Sequence, residues 1–175
     1  MAVPVAGITF EEFLDLFVPW DESLPALRLT QDGRELGPDP DDQAFARHQG
    51  LSSGLMVWMA AMGEPIWRLV DIRTTFPSAT RASAYHRETM DRQSEGFPPV
   101  IDAPALGDEC AVFGGTFQIP QTPQRITSFI YLFRVHNVSV KLFVANGMMS
   151  RAGLSSELVA RLGYHATQRI LERTY

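Results

Sequence analysis

Asp71 and Arg73 stand two residues apart inside the apolar run IWRLVDIRTTF, and His86 follows in the next segment. Positions two apart in a strand share a face, so this carboxylate and guanidinium should meet. A carboxylate buried alone is costly, so Asp71 must be paired or neutral. Two readings are open. In one, Asp71 and Arg73 form a structural ion pair. In the other, Asp71 and His86 exchange protons with a substrate in a pocket, with Arg73, Arg134 or Lys141 close by. The second reading makes the chain a small cofactor-independent enzyme. The plainer reading of His86 alone is a histidine packed on the inward side of its helix.

Other chemistry is absent from the pattern. His48, His86, His136 and His165 form no i, i+4 pair, and the single Cys110 leaves no CxxC knuckle and no intramolecular disulfide. No metal and no cofactor are expected. The chain has no P-loop, no HExxH, no GxSxG and no complete Rossmann glycine fingerprint. A net charge of −5 without a basic run argues against nucleic acid. No stretch approaches the roughly 18 consecutive apolar residues of a membrane span. The opening MAVPVAGITFEEFLDLF has no basic region, and Glu11, Glu12 and Asp15 interrupt it, so it reads as neither signal nor anchor. The expected compartment is the cytoplasm.

The elements that must hold these residues follow from periodicity. One domain over residues 1–175 is expected, with no internal repeat. Thr9 to Phe17 reads as a helix with a T-x-x-E capping box, ended by Pro19. The Gly-, Pro- and Asp-rich stretch at residues 30–42 reads as a polar surface loop. Residues 55–62 and 66–76 read as a hairpin around Gly63-Glu64-Pro65. That loop length sets Trp58 against Val70, Met56 against Ile72 and Val57 against Asp71. Both faces are then largely apolar, so the hairpin should be covered on both sides.

Ser78 caps a helix over residues 79–94, with Ala82, Tyr85, His86 and Met90 on one side. Residues 109–117 read as a strand, with Gly114-Gly115 as a bulge or bend. Residues 126–145 read as a hairpin turning at His136-Asn137. Its register pairs Val135 with Val138, Phe133 with Val140, Tyr131 with Leu142 and Phe129 with Val144. Met148 and Met149 fall in the loop that follows, and Ser155 or Ser156 caps a closing helix with the stripe Leu158, Val159, Leu162, Ala166 and Ile170. The order α-ββ-α-βββ-α predicts an α+β fold, an antiparallel sheet flanked by helices.

Gly107-Asp108-Glu109, then a strand, then Arg134-x-x-Asn137 within RVHNVSV, then a closing helix, resembles the C-terminal half of PsbP/Mog1-like sandwiches. The resemblance covers about 70 residues and implies a sandwich used for binding, with no catalytic residue to carry over.

The core is expected to join Phe129, Tyr131, Phe133, Val140 and Leu142 with Trp58, Val70 and Ile72. The opposite face carries Ile130, Leu132, Arg134, Lys141 and Phe143, with Leu69, Asp71 and Arg73 as its expected continuation. It is too apolar for a free surface and too charged for a deep core. The leading expectation is therefore a binding or accessory protein that uses this face, with Arg73, for a protein partner, a small-molecule ligand or a second copy in a homodimer. A helix packed over the face, with the charges reaching its edge, is the alternative.

Overall fold

The computed structural model describes residues 10–61, 63–118, 120–146 and 154–174. Its centre is the hairpin of β5 (Arg125–Val135) and β6 (Val138–Ala145). Their pairing is the expected one, from Val135 opposite Val138 to Phe129 opposite Val144. His136 takes φ +53, which permits the two-residue turn. On one side of this hairpin lie β3 (Arg68–Thr75), β2 (Ser52–Met59) and β1 (Thr30–Leu36), and on the other β4 (Glu109–Gln118). The six strands form one antiparallel sheet in the order β1-β2-β3-β6-β5-β4. The fold is α+β.

Helices lie on both sides. α4 (Ala79–Ser94) starts at Ser78, whose hydroxyl accepts from the Arg81 amide at 3.2 Å. It packs on the second face of β4, β5 and β6. α5 (Ser156–Thr174) starts beside Ser155, whose hydroxyl accepts from the Leu158 amide. Its Val159, Leu162, Ala166 and Ile170 are fully buried against the first face. α1 (Phe10–Leu14), α2 (Trp20–Ser23) and a 3-10 turn at Pro25–Leu27 complete that layer with Phe13, Phe17 and Trp20. α3 (Gln43–Arg47), capped by the Asp42 carboxylate, leans on α4. There Tyr85 donates to Asp42 at 2.8 Å, and Arg47 and His48 both meet Glu88.

Several expectations are corrected. Residues 30–36, within the stretch read as a loop, form β1. Nearly all of its side chains are exposed, so it lacks the apolar alternation that announces a strand. The order also gains the short α2 and α3, which are too brief to show a helical period. The β2–β3 register is one residue off the expected one. Trp58 opposes Leu69, and Met56, not Val57, opposes Asp71. The Ala60 amide donates to the Trp67 carbonyl at 3.0 Å, which carries this register on towards the turn. A one-residue slip moves a strand's whole side-chain set to the other face. Trp58 therefore shares the first face with Tyr131, Phe133, Val140 and Leu142, while Val70 and Ile72 turn to the second. Leu69, Asp71 and Arg73 move to the first.

Gly114 and Gly115 make no bulge, because β4 and β5 stay in register from Glu109 to Gln118. Gly114 is needed for closeness instead: a Cβ there would lie 2.8 Å from the Phe129 ring. Thr9, Met62, Met148 and Met149 lie outside the described residues.

Candidate functional site

The structure separates the two residues of the acid–base hypothesis. Asp71 and Arg73 point to the first face, and His86 points from α4 to the second, so the sheet lies between them. They do not form one pocket.

Asp71 and Arg73 are fully buried and form a two-pronged pair, Nε to Oδ1 at 2.6 Å and Nη2 to Oδ2 at 3.0 Å. Gly54 lies opposite Arg73 across the ladder, where a Cβ would crowd Leu36 and the Phe13 ring. The Phe17 ring stacks 5.6 Å from the guanidinium carbon, and Nη1 donates to the Ala166 carbonyl of α5 at 3.5 Å. The pair is closed off from solvent, which is the structural ion pair of the first reading.

His86 is fully buried, and neither ring nitrogen has a hydrogen-bond partner in the structure. Burial holds its pKa at about 4, below the ordinary 6.5. Glu109 opposes that shift, while Arg134 and Arg87 add to it. The folded protein thus keeps the imidazole neutral where the unfolded chain binds a proton. This stabilisation is whole above pH 6.5 and is lost as pH falls towards 4, amounting to about 3 kcal/mol. His86→Leu should flatten the pH dependence of unfolding free energy by about 1.4 kcal/mol per pH unit within that window. Equal slopes for both proteins in urea titrations would show that His86 is not the group involved.

Arg134 is clamped. It donates from Nε to Glu109 at 3.1 Å, from Nη1 to Asp108 at 2.9 Å, and to the His136 carbonyl. Asp108 also accepts from the His136 amide, and Glu109 accepts from Ser83 of α4 at 2.5 Å. Gly107 takes φ +63 directly under the Arg134 carbonyl, where no side chain fits. Asn137 donates to the Phe76 carbonyl at 2.7 Å. Gly107-Asp108-Glu109 and Arg134-x-x-Asn137 thus fasten the central turn to its surroundings.

The remaining second-face residues divide at β6. Ile130 and Leu132 are buried with Phe113 beneath α4, and Met90, Phe97 and Phe143 pack around them. Lys141 marks the border. Its Nζ donates to Gln93 at 3.1 Å, and burial lowers its pKa, with Arg92 adding and Asp42 opposing. Beyond it α4 stops. Leu55, Val57 and Met59 on β2, with Val70 and Ile72 on β3, continue the same face and are only half-buried. A Cβ on Gly33 of β1, beside Val57, would meet nothing within 4 Å. A water-facing antiparallel sheet alternates apolar with polar side chains. This half-face is apolar at five successive outward positions, edged by Glu35, Arg68 and Lys141. Sequence reasoning missed it because the register slip assigned Val70 and Ile72 to the core.

A separate hollow of about 470 Å³ lies between α5 and residues 102–106, lined by Pro104, Leu106, Ala160 and Tyr164 among others. Its Asp102, Glu157, Arg161 and His165 form no ion pair with one another, so it presents no assembled acid–base set. Among the described residues no cluster could hold a metal ion, and no helix is long and apolar enough to cross a membrane.

No family model matches the chain, and neither does any curated protein. Among solved structures, the extracellular domain of PknH from Mycobacterium tuberculosis has a similar fold, with a TM-score of 0.70. The superposition covers 98% of this chain and 100% of that one, at 10% sequence identity. At that identity the likeness is one of fold.

Proposed function

We propose that the chain is a binding module whose working surface is the uncovered half of the second sheet face, and that a protein partner docks there. One observation carries the reading: Leu55, Val57, Met59, Val70 and Ile72 lie side by side on this face and are only half-buried, while α4 packs chiefly on β4, β5 and β6. Exposed apolar patches rimmed by polar groups mark interaction sites. The apolar stripe supplies non-directional affinity, while Glu35, Arg68 and Lys141 orient the partner. A flat sheet face suits a protein surface better than a small molecule, which binds in concavities. The expected use of this face is kept, but it shifts from Ile130, Leu132 and Arg134 to β2 and β3. The cytoplasmic setting belongs to the same proposal, since a chain with one cysteine needs no oxidising compartment, and cell fractionation checks it.

A photo-crosslinking residue placed singly at Val57, Val70 and the exposed α4 residue Arg81, in the cells that make the protein, tests the reading. Positions 57 and 70 should give the same discrete protein adduct, and position 81 should not. Indistinguishable adduct patterns at all three would remove the half-face as the site.

A further inference from the structure

The hollow between α5 and residues 102–106 is held open by specific residues on both sides. A glycine inside a helix is destabilising, and α5 carries one, Gly163. A Cβ there would overlap the Leu106 side chain, so glycine is what lets the loop come this close. From the sheet, the Tyr131 hydroxyl donates to the Pro104 carbonyl and pins the same loop. Leu106 and Pro104 from the loop and Ala160 from α5 give the hollow an apolar lining, and the half-exposed Tyr164 ring adds to it. Ile101, the most exposed large apolar side chain among the described residues, is the chain neighbour of Asp102 on the rim. The volume of about 470 Å³ lies within the range of small-molecule sites, roughly 300–1,000 Å³.

The charges around this lining come in both signs. Glu157, Arg161 and His165 follow one another at i, i+4 along α5, and Asp102 lines the hollow from the loop. Residues one turn apart on a helix have Cβ atoms about 5–6 Å from each other. The Glu157 carboxylate and the Arg161 guanidinium therefore suit a ligand that bears an ammonium and a carboxylate on one carbon. We propose that the hollow binds a free α-amino acid with a large apolar side chain. Its carboxylate meets Arg161, its ammonium meets Glu157 and Asp102, and its side chain lies on Leu106, Pro104, Ala160 and the Tyr164 ring. A ligand of one charge answers only one of the two sets, and an uncharged apolar one dehydrates both without pairing either. A direct Glu157–Arg161 contact competes weakly, because exposed ion pairs contribute little. The hollow is on the α5 side of the sheet and the half-face of β2 and β3 on the other, so this site does not rest on what docks there.

Amide NMR titrations of the whole chain with L-phenylalanine and L-leucine test it. Both should bind with Kd about 1 mM or tighter, and the shifts should centre on residues 102–106 and 156–165. Phenethylamine and 3-phenylpropionate keep the ring and one charge each, and should bind at least about fivefold more weakly than L-phenylalanine. Arg161→Gln should weaken L-phenylalanine by about fivefold and leave phenethylamine unchanged. The double variant Asp102→Asn/Glu157→Gln should weaken L-phenylalanine and leave 3-phenylpropionate unchanged. These three side chains are exposed, so melting midpoints should not move. Ala160→Trp, which fills the hollow, should abolish binding. No shift with either amino acid at about 10 mM, roughly ten times that Kd, overturns the proposal. So do shifts centred elsewhere, equal affinities for the three phenyl compounds, or charge variants that bind L-phenylalanine as wild type does.

Discussion

Asp71→Ala should destabilise the protein by about 3–5 kcal/mol, because it leaves the Arg73 guanidinium charged and buried without its partner. Arg73 is fully enclosed by β2, β6, α5 and Phe17, so water cannot replace the lost carboxylate without opening the core. The remaining contact, a 3.5 Å bond to the Ala166 carbonyl, neutralises nothing. The double variant Asp71→Leu/Arg73→Met should lie within about 1 kcal/mol of wild type or above it, since replacing a buried pair with apolar groups is often neutral or stabilising. Chemical unfolding followed by fluorescence of Trp20 and Trp58, both buried, reads each value. A cost for Asp71→Ala below about 1 kcal/mol, the range of surface pairs, would show that the pair is hydrated in solution.

Phe133→Ala should cost about 3–5 kcal/mol by a different route, the cavity left in a packed core. Phe133 is fully buried, opposes Val140 and Cys110 in the ladder, and meets the Tyr131 ring edge-on at 6.3 Å. Its neighbours belong to strands held on both sides, so they can close little of the gap. The unfolding midpoint should fall with an unchanged denaturant slope. A midpoint that barely moves would mean the sheet collapses around the missing ring.

The centre of this fold is legible from residue order because its signals are local. A two-residue turn fixes the register of β5 and β6, and a capping serine with a regular apolar stripe fixes α4 and α5. The β2–β3 pair is less legible because its turn has no two-residue signature, and a one-residue error there inverted the roles of Asp71, Arg73, Val70 and Ile72. β1 is illegible by periodicity, since a strand exposed on both faces has no apolar alternation. The ion pair was readable from spacing alone, two residues in a strand. That α4 would cover only half of the second face was not readable, because the sequence of β2 and β3 looks the same whether a helix lies above it or not.

The order of the strands also bears on how fast the chain folds. β1, β2 and β3 form one meander and β4, β5 and β6 another, and neighbours within each are joined by connections of modest length. The two meanders meet along a single seam, where residues 68–75 of β3 pair with residues 138–145 of β6, across all of α4, β4 and β5. Closing that long loop loses chain entropy before its contacts give anything back. Seam closure is therefore the step expected to set the folding rate. Asp71 and Arg73 sit on it, opposite Leu142 and Val140, so their dehydration falls at the same barrier. Substitutions in the pair should change folding speed as well as stability, whereas changes at the β1 edge should leave speed alone.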